Sequence, residues 1–177
     1  MRLFVALDLP WPLRETLGGL LNSLSGARWV PPENHHLTLR FVGEVPPYVA
    51  DEVDAALAAV KVRPFTLALS GVGVFDRNGR PSALWAGVAR SEQLDHLQNK
   101  IETALRRIGL PGEKRRFQPH ISLARVDGVS EAALARWVQG HNLLRSDAVP
   151  VTSFTLFSSQ LGKEQPVYTA EVDYELA

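Results

Sequence analysis

Cysteine is absent from all 177 residues, which excludes disulfides, thiolate nucleophiles and cysteine-ligated metals. Net charge is absent as well, since 19 lysines and arginines balance 19 aspartates and glutamates. A polyanion must therefore be met by a local basic patch, with no global field to attract it. No apolar run approaches the length needed to span a bilayer. The opening Met1-Arg2-Leu3-Phe4-Val5-Ala6-Leu7 is too short, and meets Asp8 too soon, to act as a secretion signal. Low-complexity tracts and repeats of solenoid length are also missing. These absences leave a globular chain expected in the cytoplasm, off the membrane and monomeric, with no obligate protein partner. Its composition, 45% hydrophobic and 21% charged, is that of an ordinary globule. At this length one compact domain over 1–177 is expected, burying roughly 70% of the unfolded surface.

What is present is a short motif written twice. The first copy is His36-Leu37-Thr38-Leu39 and the second is His120-Ile121-Ser122-Leu123. Both read histidine, aliphatic, hydroxyl, leucine. Side chains on a strand alternate between faces, so His36 points with Thr38 and His120 with Ser122. Leu37, Leu39, Ile121 and Leu123 then face the other way and anchor each motif to a core. The histidines stand 120 − 36 = 84 positions apart, close to half the chain, as an internal duplication would place them. Two imidazoles across one cleft are the smallest set able to take a proton at one end of a displacement and return one at the other. A third histidine or a carboxylate at ligand spacing is lacking, so no metal and no cofactor is implied.

The surrounding pattern interleaves strands and helices. Leu3 to Asp8 reads as a buried strand. Leu13, Leu17, Leu20, Leu21 and Leu24 recur at helical spacing, weakened by Gly18-Gly19. Pro31-Pro32 leads extended chain into a motif strand over 36–42. Val49 to Val60 gives a second helix, and 65–74 and 83–88 form a hairpin around the turn-rich 76–81. Ser91 opens a third helix ending at Gly109, and the second motif strand follows over 118–125. Ser130 opens a fourth helix ending at Gly140, and strands over 151–157 and 167–174 close the chain. The predicted class is α+β: two pseudo-symmetric lobes, each a mainly antiparallel sheet with outer helices, and a cleft between them.

The paired motifs resemble the two-histidine (2H) phosphoesterase superfamily, and within it the RNA 2′,3′-cyclic phosphodiesterases, historically called 2′-5′ RNA ligases. Trp29-Val30-Pro31-Pro32-Glu33-Asn34 before the first motif, Phe41-Val42-Gly43-Glu44-Val45 after it, Leu84-Trp85-Ala86-Gly87-Val88, Leu156-Phe157-Ser158-Ser159 and Tyr168 are similar to the family's pattern, in the same order. The resemblance implies hydrolysis of RNA or nucleoside 2′,3′-cyclic phosphate ends to 2′-phosphates, and reversible 2′-5′ RNA ligation of such an end to a 5′-hydroxyl RNA as an accompanying activity. It implies His36 and His120 as catalytic, with His120 activating water and His36 protonating the leaving oxygen, although the symmetry of the motifs does not itself choose. Thr38 and Ser122 are expected to donate to phosphate oxygens. Arg125 is a phosphate ligand by the resemblance, while strict alternation from His120 puts it on the core face.

Outer contacts are expected from four residues. Arg40 shares the parity of His36 and Thr38, so alternation turns it into the cleft toward RNA. Phe75 lies near a hairpin tip, where a base can stack. Arg115 and Arg116, in the basic run Lys114-Arg115-Arg116, precede the second motif. Ser82 stands where the family pattern carries an arginine. His35 has the parity of Leu37 and Leu39 and reads as core-facing or capping, while His96 and His141 read as solvated. Two other readings remain at this stage: an RNA-binding module without catalysis, and a phosphodiesterase for another cyclic phosphate such as ADP-ribose 1″,2″-cyclic phosphate.

Overall fold

Ten strands and four helices alternate in the computed structural model, which describes residues 1–177. Strand β1 (Arg2–Asp8) has five consecutive buried residues, Leu3 to Leu7, because both of its faces are covered. It pairs antiparallel with β3 (His36–Glu44) on one side and β9 (Ser153–Gln160) on the other, and β10 (Val167–Glu175) forms the edge beyond β9. The second half of the sheet runs β7 (His120–Arg125), β6 (Arg80–Val88), β5 (Leu69–Arg77), again antiparallel. The two motif strands β3 and β7 meet at one pair, Leu37 with Ile121. Beyond it β7 pairs instead with β2 (Arg28–Trp29). A separate ribbon joins β4 (Phe65–Leu67) to β8 (Val149–Val151).

The helices are α1 (Trp11–Gly18), α2 (Pro47–Ala58), α3 (Glu92–Arg107) and α4 (Glu131–His141). Each buries residues at helical spacing: Leu13 and Leu17, Val53 and Leu57, Leu94 to Leu105, and Leu134 with Trp137. These side chains join the inward residues of strands from both halves in a single core cluster. The predicted α+β class with two antiparallel half-sheets and outer helices is what the chain adopts, with both halves drawn into one ladder over a shared core. A smaller cluster of Phe4, Ala6 and Phe157 lies on the opposite face of β1 and β9, the face that carries the motifs. No helix is long and apolar enough to cross a membrane.

Local chemistry accounts for the boundaries. Helix α1 stops at Gly18-Gly19 instead of running on to Leu24, because the glycine pair withdraws helix propensity where the hydrophobic stripe alone argued for continuation. Ser91 Oγ accepts the Leu94 N–H at 3.1 Å and starts α3, with Glu92 and Asp95 in its first turn and Arg106 and Arg107 in its last. The expected turn-rich loop at 76–81 contracts to a two-residue hairpin turn. Asn78 and Gly79 both take left-handed φ, 55° and 77°, as a turn matching strand twist requires. The expected strand over 65–74 divides at Ala68 into β4 and β5, which pair with different partners.

Candidate active site

The Leu37–Ile121 pair sets the frame of the site. In that antiparallel register His36 comes beside Ser122 and Thr38 beside His120, all on the face opposite the two buried aliphatics. The structure thus brings together the four motif side chains at the junction of the half-sheets. Each histidine is held in the same way. His36 Nδ1 lies 2.8 Å from the Asn34 carbonyl, and His120 Nδ1 lies 2.7 Å from the Gln118 carbonyl. A carbonyl only accepts, so each Nδ1 carries a proton and Nε2 is the nitrogen left to exchange one. Both acceptors stand two residues before their histidine. The duplication therefore extends to the backbone groups that orient the rings, a feature no residue type signals.

A second duplicated feature is a β-bulge. Along β3, Thr38 pairs with Ala6 and Arg40 with Val5, leaving Leu39 as an extra residue. Along β7, Ser122 pairs with Trp85 and Ala124 with Leu84, leaving Leu123 as the extra one. Both bulges fall three residues after the histidine, and each resets the alternation of its strand. Leu39 and Arg40 are consequently both buried, as are Leu123 and Ala124, and the next residue emerges on the motif face. That residue is Phe41 in the first half, 61% exposed, and Arg125 in the second, its side chain 56% exposed.

This geometry decides both arginines that strict alternation misplaces. Arg125 is returned to the face of His120 and Ser122, where the resemblance expects it, with Asp127 at 3.5 Å as its only ion-pair partner. Arg40 is turned the other way. The expectation of an RNA contact there is corrected: its side chain is 6% exposed and pairs with Glu102 of α3 at 2.5 Å. Its two remaining nitrogens donate to the Phe41 and Pro111 carbonyls. Glu102 also accepts from Arg106 Nε and from the Glu113 N–H, each at 2.9 Å. Burial pushes its pKa up, but the hydrogen bonds from Arg40, Glu113 and Arg106 outweigh this and hold it below the usual carboxylate range.

The walls beside the two histidines differ. The His36 ring lies 5.0 Å from Phe4, 5.2 Å from Tyr168 and 6.3 Å from Phe157, centroid to centroid. Burial among these rings lowers the His36 pKa, and Arg14 and His120 lower it further, against the Asn34 carbonyl and Asp8, which raise it. The same burial pushes the Tyr168 phenol up. Beside His120, Phe75 stands edge to face at 4.7 Å and 5.5 Å from Trp85. Phe75 is thus a wall of the site itself. The Trp85 indole lies flat over Gly73, where a methyl group would sit 2.1 Å from the ring, so only glycine fits. Ser82, where the resemblance expects an arginine, donates to the Phe75 carbonyl at 3.0 Å and ties the hairpin together.

Arg115 and Arg116 are exposed in the loop before β7, outside this cluster. His35 is buried, 1% exposed, and desolvation lowers its pKa to about 4, with the Arg14 charge adding to the effect and the Val30 backbone opposing it. His141 departs from the solvated reading: it stacks on Trp137 at 4.6 Å. No three His, Cys, Asp or Glu side chains converge anywhere in the chain. Asp8 and Arg14, which no motif in the sequence marks, lie at the site. Asp8 faces His36 across β1 and β3, and Arg14 bonds Asp8.

The model of the family described as LigT like Phosphoesterase matches the chain in two consecutive stretches, 7–85 and 87–168, each holding one motif. A curated RNA 2′,3′-cyclic phosphodiesterase of Aeropyrum pernix is 36% identical over 141 residues, covering 78% of this chain and 80% of its own. A protein of the same description from Archaeoglobus fulgidus is 33% identical over 171 residues, covering 95% and 96%. Among solved structures, TT0787 of Thermus thermophilus superposes with a TM-score of 0.83 at 28% identity, over 99% of this chain and 98% of that one. E. coli LigT complexed with 3′-AMP superposes with a TM-score of 0.80 at 27% identity, over 99% and 97%.

Proposed function

The chain belongs to the LigT-like phosphoesterase family, and from that premise we propose that it hydrolyses 2′,3′-cyclic phosphate ends of RNA or nucleotides to 2′-phosphates. The observation that carries this reading is the matched pair of imidazoles on one face, each with Nδ1 held by the carbonyl two residues back and Nε2 free. Water attacks phosphorus in line with the ribose 3′ oxygen, and the bond from phosphorus to that oxygen breaks. His120 takes the proton from water and His36 gives one to the departing oxygen. Each positioned transfer contributes about 10²–10⁴-fold. Burial disfavours the charged form of His36, so the phosphate anion supplies the field that protonates it in the complex. Thr38 and Ser122 donate to the non-bridging oxygens, and Arg125, delivered to this face by the bulge, balances their charge. Arg115 and Arg116 serve as outer RNA contacts, and Phe75, a wall of the site beside His120, offers its ring to a base.

Proton transfer and charge balance of this kind need no metal, and a 5′-hydroxyl of a second RNA taking the place of water would give a 2′-5′ linkage. The protein acts as a cytoplasmic monomer. Phosphorus NMR of an RNA ending in a 2′,3′-cyclic phosphate, in excess EDTA, tests the proposal. The cyclic resonance should be replaced by that of a 2′-monoester. Binding without turnover would leave an RNA-binding module, and turnover restricted to ADP-ribose 1″,2″-cyclic phosphate would reassign the substrate.

A further inference from the structure

The two histidines match in sequence, in strand position and in the carbonyl that orients them, yet their roles in an in-line displacement are opposite. Something outside the motifs must distinguish them, and the residues that face the two histidines across the ladder differ. Across the ladder from His36 stands Asp8, and across from His120 stands Gly87, which has no side chain. Asp8 and His36 are directly paired, so their side chains share the motif face. The Asp8 carboxylate is held in turn by Arg14, from the second turn of α1.

Arg14 does more than balance Asp8. Its side chain is 12% exposed, and all three of its nitrogens are engaged. Nε donates to the Leu9 carbonyl at 3.0 Å, one terminal nitrogen donates to the Pro32 carbonyl, and the other donates to Asp8. Pro32 opens the 3₁₀ turn Pro32–Asn34, and the Asn34 carbonyl at the end of that turn is the acceptor for His36 Nδ1. One planar guanidinium therefore bridges the carboxylate facing His36 and the turn that aims its ring. A planar, fork-shaped cation is suited to this; an ammonium is a single point charge.

We propose that Arg14 is the positioning residue that makes the two matched histidines inequivalent, fixing at once the turn that orients His36 and the carboxylate that faces it. The inference rests on the proposed acid–base reading of the site but concerns a residue outside both motifs. The charged and titratable groups around His36 are Arg14 from α1, Asp8 from β1, the neighbouring His35, which Arg14 also acts on, His120 from β7 and the Tyr168 phenol from β10. Arg14 and Asp8 oppose each other on the imidazole, the cation disfavouring its protonation and the carboxylate favouring it.

The test combines steady-state kinetics on a 2′,3′-cyclic nucleotide with NMR titration of the histidine rings in the free protein. In Arg14→Met, kcat should fall on the order of 10- to 100-fold with little change in KM, as expected when a reacting group is misaimed. His36 should titrate at higher pH than in the wild type, by more than the other motif ring. Asp8→Asn should move the His36 titration the opposite way. Arg14→Lys should keep the wild-type titration, because the charge is retained, without recovering full kcat. Equal shifts of both histidines, no shift of His36, or an unchanged kcat in Arg14→Met would overturn the proposal. If Arg14→Met does not fold, Asp8→Asn, whose carboxylate is 62% exposed, decides by its titration alone. The titration requires no substrate. A selective His36 shift in a protein without cyclic-phosphate turnover would sink the functional reading and sustain this one, and turnover with no selective shift would do the reverse.

Discussion

Strict alternation sends Arg40 to the RNA and the structure buries it in the core, and replacing it with methionine separates the two roles. The substitution preserves most of the aliphatic volume and deletes the guanidinium. Glu102 then loses its closest partner, at 2.5 Å, and the Phe41 and Pro111 carbonyls each lose a donor. Removing one member of a buried ion pair costs about 3–5 kcal/mol, because the other charge is stranded away from water. Glu102 keeps Arg106 and the Glu113 N–H, which places the loss near the lower end, about 3 kcal/mol. For a chain of this size that lowers Tm by roughly 6–12 °C. The pH dependence has a definite sign. In the wild type the Glu102 pKa is depressed, so its contribution is present above the unfolded carboxylate pKa and is lost as pH falls through the folded value. In Arg40→Met one of the hydrogen bonds that hold the carboxylate down is gone, so the Glu102 pKa lies above its wild-type position and the variant loses less stability as its carboxylate protonates. The gap in Tm between the two proteins should therefore narrow as pH falls below 4.5, the ordinary Glu value, in a calorimetric scan, and Arg40→Met/Glu102→Leu should be more stable than Arg40→Met. Assayed well below its Tm, the single variant should keep the wild-type KM for RNA. A Tm left unchanged alongside a raised KM would refute the reasoning and return Arg40 to the RNA surface.

Replacing either His36 or His120 with alanine should lower kcat for cyclic-phosphate hydrolysis by about 10²–10⁴-fold. The double variant should be little worse than either single one, as initial rates would show, since residues acting as a unit are not additive. Arg125→Ala should lower kcat/KM by roughly 10- to 100-fold through loss of a charged hydrogen bond to phosphate, with Tm unchanged; a normal kcat/KM would remove it from the site. His35, held neutral with a pKa of about 4, should contribute stability that is full above pH 6.5 and is lost as pH falls from 6.5 to 4. The loss should approach about 3 kcal/mol, and His35→Phe should flatten that part of the acid-stability curve; a curve of unchanged slope would place the titration elsewhere.

The period-two pattern of the motifs is legible because His36, Thr38, His120 and Ser122 precede any irregularity in their strands. It fails at the next step for one geometric reason. Leu39 and Leu123 look like ordinary inward residues, and each is also the extra residue of a bulge, which leaves no mark on composition. Alternation counted across them inverts, so it assigns Arg40 to the cleft and Arg125 to the core. The resemblance puts Arg125 on the motif face, where its side chain emerges, because it encodes the outcome of the bulge without its cause. Helix α1 is overextended by the sequence pattern because Leu20, Leu21 and Leu24 keep helical spacing after the chain has turned at Gly18-Gly19. Leu20 is still buried, so the spacing reports burial and not helix. Asp8 and Arg14 draw no notice in the sequence because their significance depends on which strand lies beside His36, and that is a long-range pairing.

The meeting of the motif strands at a single pair gives the site a mechanical character. On either side of Leu37 and Ile121 the strands diverge, so the separation of the two imidazoles depends on the angle between the half-sheets. A rotation that moves an imidazole tip by about 1 Å is able to cost on the order of 100-fold in rate. What resists that rotation is the packing beneath, where Leu7, Leu57, Leu97, Val126 and Leu134 belong to one body. The jaws are therefore set by the handle. Core substitutions remote from any histidine would act as changes of gauge, altering turnover while leaving every group that touches the substrate in place.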